Sequence, residues 1–227
     1  RERIAAYQCP LSEGIVSKKY NLVGVMVLAD ALKREGRLFA LGMGGLSEPL
    51  PVMLKKMGWT PLSVPFYFQV RRGGAFLRNI LALRRRKFFR VVFDVLAYLG
   101  LATIGTFFLN LLLGVKNRLP ILIRTEVLQI FDSRVDEVWE SSKSEYQLIA
   151  VRDQKSLSIL YPEGNDRFHR LLISENGKTI GWAVVIHTEM KNHKQFGNMH
   201  VGTIVDLLGM PGFEKNIVAS AWKYLKE

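Results

Sequence analysis

Apolar and polar positions change texture along the chain. Residues 23–32 (VGVMVLADAL) run into Lys33-Arg34-Glu35-Gly36, a pattern that predicts a helix closed by a left-handed glycine cap. Residues 37–41 form a short apolar run bounded by glycines and predict a buried strand; residues 42–45 (GMGG) predict the turn that leaves it. A second helix is expected over 49–57, with prolines near its start and Gly58 at its end. Residues 60–70 are rich in aromatic and β-branched side chains and predict a strand, bulged or at an edge because of Pro65. Residues 91–115 are apolar with few interruptions, and at ~1.5 Å per residue they are long enough for a hydrocarbon core of about 30 Å. Beyond Val127 the runs shorten. An exposed helix is expected over 132–143, a hairpin over 171–185 turning at Asn176-Gly177, a strand over 200–208 and the start of a last helix over 216–227.

Composition sharpens this picture. With 227 residues and 48% hydrophobic residues the chain can bury a real core, and intrinsic disorder is excluded. The single cysteine, Cys9, rules out an internal disulfide, and the four histidines have no spacing that suits a zinc site with it, so no metal is expected. The net charge of +12 is unevenly placed: residues 1–120 hold 19 basic and 6 acidic side chains, residues 121–227 hold 13 and 14. Residues 71–90 alone carry eight basic side chains and no acidic one. Interleaved phenylalanines allow a nucleic-acid reading, but a basic collar beside an apolar segment suits an anionic membrane surface better, so residues 71–115 are expected to meet a membrane and nucleic acid is the weaker choice. Basic residues flank the apolar run on both sides, with Lys116 and Arg118 beyond it, which favours a helical hairpin dipping into the membrane face, or packed between domains, over a single span. The ends of the sequence read as those of a fragment, and no signal peptide is recognised in the first 20 residues.

The segment 9–70 resembles the carboxyl-terminal half of an acyl-CoA N-acyltransferase of the GNAT superfamily. Lys19-Tyr20-Asn21-Leu22-Val23-Gly24 stands where that family has its pyrophosphate loop, keeping a cation and the last glycine with leucine in the middle position. The Lys55-Lys56-Met57-Gly58-Trp59 ending resembles the family's helix with a glycine-aromatic stop before its final strand. Residues 132–227, in the order helix, Asn-Gly hairpin, strand and incipient helix, resemble the amino-terminal half of the same fold. The resemblance implies an α/β (α+β) class with a GNAT-like mixed sheet flanked by helices. It also implies three parts: the end of a first GNAT-like domain over 1–70, a basic and hydrophobic helical connector over 71–120, and the beginning of a second such domain over 121–227. Alternatively, the two halves complete one another as one permuted domain.

The function implied is transfer of an acyl group, acetyl above all, from acyl-CoA to an amine-bearing substrate, in the cytoplasm or at the cytoplasmic face of the membrane. Lys18, Lys19, Asn21, Val23 and Gly24 are the expected cofactor contacts, since a helix N-terminus offers free N–H groups and a positive dipole end to phosphate. Glu13 is the carboxylate placed to take a proton from the amine, and Tyr20 the group to protonate the leaving thiolate. The alternative is a GNAT-like scaffold without chemistry that anchors a membrane assembly; Leu22, and the lack of a tyrosine between Ser47 and Trp59, favour it. Gly42-Met43-Gly44-Gly45 lacks a Gly-Lys-Ser/Thr ending and reads as a strand-to-helix turn rather than a phosphate loop.

Overall fold

The computed structural model describes residues 4–7, 16–42, 45–116, 120, 122–194 and 196–226. The chain divides into two compact units, Arg1–Tyr67 and Phe68–Glu227.

In the first unit, β1 (Ala5–Ala6) pairs in parallel with β2 (Leu38–Phe39), and α1 (Val23–Arg34) lies between them in sequence. Parallel neighbours need a crossover of this kind, and a helix is the usual one. α1 buries Leu28 completely and follows a turn of 3-10 helix at Lys18–Tyr20. The expected glycine cap does not form: α1 ends at Glu35 (φ −119°, ψ 47°), whose N–H donates to the Ala31 carbonyl. Gly36 is absent from the positive-φ positions, because the chain passes straight into β2. β2 is shorter and less buried than expected, with Phe39 about half exposed. α2 (Pro49–Lys56) matches its prediction and stops at Gly58, whose φ of +87° favours glycine. The strand expected over 60–70 does not form. Pro61 and Pro65 remove two backbone donors, and Leu62, Val64, Phe66, Tyr67 and Phe68 are exposed.

The second unit begins with helices. α3 (Gly73–Asn79), α4 (Lys87–Tyr98) and α5 (Leu101–Lys116) precede a four-stranded antiparallel sheet of order β3-β4-β5-β6, formed by Ile123–Leu128, His169–Glu175, Lys178–His193 and Gly197–Gly209. The single apolar run is thus two helices, broken at Leu99-Gly100 where Gly100 takes φ +73°. α6 (Arg134–Ser142) and α7 (Gln154–Leu160) lie between β3 and β4 in sequence; α8 (Glu214–Tyr224) follows β6. Asn176 (φ 52°) and Gly177 (φ 80°) make the two-residue turn joining β4 to β5, the conformation that Asn-Gly favours in a hairpin.

Alternation along β4 and β5 feeds two cores. Leu172, Trp182, Val184 and Leu208 pack with Phe131, Val135, Val138, Trp139, Leu157 and Tyr161 on the α6/α7 face. Leu171, Ile173, Ala183 and Val185 pack with Ile217 and Ala221 of α8 on the other. α6 is therefore not the exposed helix of the sequence reading. Val135, Val138, Trp139 and Ser142, at helical spacing, form a buried stripe.

Candidate active site

The predicted cofactor residues converge on the start of α1. Leu22 caps the helix with φ −80° and ψ −15°, its carbonyl accepting from the Met26 N–H at 3.0 Å, and its side chain offers the first amides no acceptor. Val23 and Gly24 are therefore the first two residues of the helix, with N–H groups that have no intrahelical acceptor. Asn21 (φ −53°) precedes them, and its N–H closes the 3-10 turn onto the Lys18 carbonyl at 3.3 Å. Lys18, Lys19, Tyr20 and Asn21 are all exposed. Because Leu22 is helical rather than left-handed, glycine is not required there; its side chain limits only how closely an anion can approach.

This donor set fits a pyrophosphate. The first amides and positive end of a 12-residue helix follow two exposed lysines within a few residues, a placement that contiguous sequence provides without any long-range contact. Tyr20, the proposed proton donor, sits in the same turn with the Lys19 ammonium 5.7 Å from its ring centroid. Glu13 lies outside the described residues, as do Met43 and Gly44 of the glycine turn.

The turn before α8 in the second unit is built differently. Between β6 and α8 the Met210 N–H donates to the Ile180 carbonyl at 2.8 Å, the Phe213 N–H to the Met210 carbonyl at 2.9 Å, and the Gly212 N–H to the Glu214 carboxylate at 3.2 Å. A carboxylate therefore occupies the first turn of α8 where an anion would bind, and it uses one of the turn amides.

Sequence reasoning missed a polar cluster on the α6/α7 face. The Arg152 Nε lies 2.7 Å from Asp206 Oδ2, the Tyr161 hydroxyl donates to the same oxygen at 2.9 Å, and the Leu207 N–H donates to Oδ1 at 3.0 Å. A register shift places Asp206 opposite Val184 but Ile204 opposite Val185, so Val205 is the extra residue of a bulge beside it. Burial, with the nearby Asp206 charge, holds the Tyr161 hydroxyl well above its ordinary range. Beneath it Arg170, 4% exposed, donates to the carbonyls of Tyr161, Phe168 and Pro162. The Tyr161 hydroxyl and both guanidinium groups are engaged in this cluster, and its geometry is that of a structural pin. These residues lie far apart in sequence and share no motif; only the bulge beside Asp206 marks them.

A second cluster gathers His169, His187 and Tyr224. His169 Nδ1 is 2.9 Å from the Tyr224 hydroxyl, and the two imidazole rings are 5.2 Å apart. Among the described residues no group of three His, Cys, Asp or Glu side chains is placed to hold a metal ion.

No protein-family model matches the chain, and no curated protein matches it. Solved structures give partial likenesses. One is a GNAT family acetyltransferase of Staphylococcus aureus, 14% identical over 47% of this chain and 79% of that one, with a TM-score of 0.34. Another is an aminoglycoside acetyltransferase from an uncultured soil metagenomic sample. In its complex with trehalose it is 13% identical over 46% of this chain and 70% of that one, with a TM-score of 0.32. In its complex with sisomicin it is 12% identical with the same coverage, with a TM-score of 0.31. Across slightly less than half its length, this mixed α/β chain is similar to GNAT acetyltransferases.

Proposed function

We propose that the chain belongs to an acyl-CoA-dependent N-acyltransferase of GNAT type that transfers an acetyl group to an amine-bearing substrate at the cytoplasmic membrane face. The observation that carries this reading is the placement of α1 between two parallel strands, with Lys18, Lys19 and uncapped N–H groups at its start. In this reading residues 1–70 close a first GNAT-like domain, 71–120 connect, and 121–227 open a second.

The residues then divide the work. The amides of Val23 and Gly24, with Asn21 and the two lysines, hold the pyrophosphate of the acyl donor. The amine nitrogen forms a bond to the thioester carbonyl carbon as the carbon–sulfur bond breaks. Glu13 takes the proton that the amine loses, and Tyr20 supplies one to the thiolate that leaves. Calorimetric titration of the chain with acetyl-CoA tests this. Binding that weakens at least tenfold in the double variant Lys18→Glu, Lys19→Glu supports it; absence of heat, with no competition by free CoA, overturns it.

The alternative of an inactive scaffold is favoured by one observation in the second unit, the Gly212 N–H donating to Glu214 where a phosphate-binding turn would keep its amide free. Under that reading neither unit binds acetyl-CoA, and membrane attachment alone survives.

A further inference from the structure

α5 is built inside out for a helix in water. Its polar side chains Thr103, Thr106 and Asn110 lie within one narrow arc at about 100° per residue; Thr106 and Asn110 are half-buried against protein, while Thr103 at the edge of the arc is exposed. The Thr106 hydroxyl accepts from the Gly73 N–H at 3.3 Å. The Asn110 amide donates to the Val70 carbonyl at 3.1 Å and accepts from Gln69, which in turn accepts from the Trp222 indole of α8. The opposite arc carries Leu101, Phe108 and Leu112, all more than half exposed. Among the described residues, twelve large apolar side chains of α4 and α5 are at least 40% exposed, as is Leu99 between them. Extended exposed apolar surface marks a site of protein or membrane interaction.

The two helices are bent by 72° at Leu99-Gly100, and neither is long and apolar enough to cross a membrane by itself. The bend is packed rather than hinged. Gly73 and Gly74 of α3 sit against its two arms: a Cβ on Gly73 would run into the Ala102 carbonyl, and one on Gly74 would come within 3.1 Å of the Thr103 hydroxyl and 3.9 Å of the Ala97 carbonyl. Straightening the pair into one span would undo this packing. At the start of α4 stand Arg85, Arg86, Lys87 and Arg90, all exposed.

We infer that α4 and α5 form a monotopic membrane wedge: their exposed apolar face enters one leaflet of an anionic bilayer without crossing it, and Arg85, Arg86, Lys87 and Arg90 bind lipid phosphate at the headgroup level. The basic side chains select this occupant, because an apolar protein partner would leave four cations against it while an anionic leaflet satisfies both surfaces. The inference rests on the membrane-surface part of the proposed function and not on its chemistry.

The full chain is mixed with vesicles of phosphatidylcholine alone or with 30% phosphatidylglycerol and recovered by flotation. The wild type is expected on the anionic vesicles and resists 1 M salt once bound. Arg85→Glu with Arg86→Glu lowers partitioning at least tenfold, whereas Phe108→Asp with Leu112→Asp leaves only binding that salt reverses. Circular dichroism checks that each variant is folded. Binding that salt strips from the wild type overturns the wedge but leaves a peripheral membrane enzyme; failure to float, with a dimer in solution, assigns the face to a second copy. Crossing is tested in inside-out cell membranes on a Cys9→Ser background, where Arg85→Cys and Arg124→Cys are both expected to react with an impermeant maleimide. Reaction at one flank alone overturns the single-leaflet arrangement.

Discussion

Gly197, at the first position of β6, lies against the carbonyl oxygen of Asn79 at the end of α3, so closely that a Cβ would fall well inside van der Waals contact. Its φ of +62° adds a conformational demand that glycine meets without strain. This contact seats the helical segment on the sheet of the second unit.

Gly197→Ala is therefore expected to destabilise the chain by about 2–4 kcal/mol, combining left-handed strain with a clash against backbone that cannot rotate away. Gly177→Ala provides the comparison. Its φ is +80°, but no atom lies within 4 Å of the added methyl, so only about 1–2 kcal/mol should be lost. Urea denaturation of both variants measures the difference; equal losses would remove the steric role of Asn79.

Asp206 joins elements that local sequence does not connect, accepting from Arg152 and Tyr161 on one oxygen. Replacing it with alanine strands a guanidinium whose side chain is only 23% exposed and a buried phenol, at a cost of about 2–3 kcal/mol. Asp206→Asn keeps an acceptor for Tyr161 and should cost less. A double-mutant cycle with Arg152→Met isolates the ion pair, and a coupling near zero would show that Tyr161 alone needs the carboxylate.

The legibility of the chain follows the range of the interactions involved. α1, α2, the Asn176-Gly177 hairpin and β6 were readable because local spacing and turn chemistry decide them. The buried stripe of α6 was also present in the spacing of Val135, Val138, Trp139 and Ser142, but its polar neighbours concealed it. Residues 60–70 have strand composition, but among the described residues no strand pairs with them, so composition alone does not make a strand there. The local geometry of Lys18–Gly24 follows from contiguous sequence, whereas Asp206 meets Tyr161 across 45 residues.

Ser220 is 1% exposed, and its hydroxyl has no hydrogen-bond partner among the described residues. A buried unsatisfied hydroxyl costs free energy, and alanine is the better helix former. Ser220→Ala should therefore be neutral or raise stability by up to about 1 kcal/mol, read as a higher urea midpoint at unchanged slope. A loss of more than about 1 kcal/mol would mean that the hydroxyl has a partner, such as an internal water.

His169 gives the fold a dependence on pH. Burial first, then the nearby His187 and Arg170 charges, lower its pKa below 6.5, and its Nδ1 meets the Tyr224 hydroxyl at 2.9 Å. The unfolded chain therefore binds the proton more readily than the folded one in the interval below pH 6.5. Stability from the neutral ring is fully present above that value and declines as pH falls toward the folded-state pKa, then levels off. Urea midpoints measured from pH 8 to pH 5 should fall in this direction for the wild type. His169→Gln, which keeps a side chain able to hydrogen-bond Tyr224 but does not titrate, should flatten that part of the profile; an unchanged slope would transfer the effect to carboxylates or another histidine.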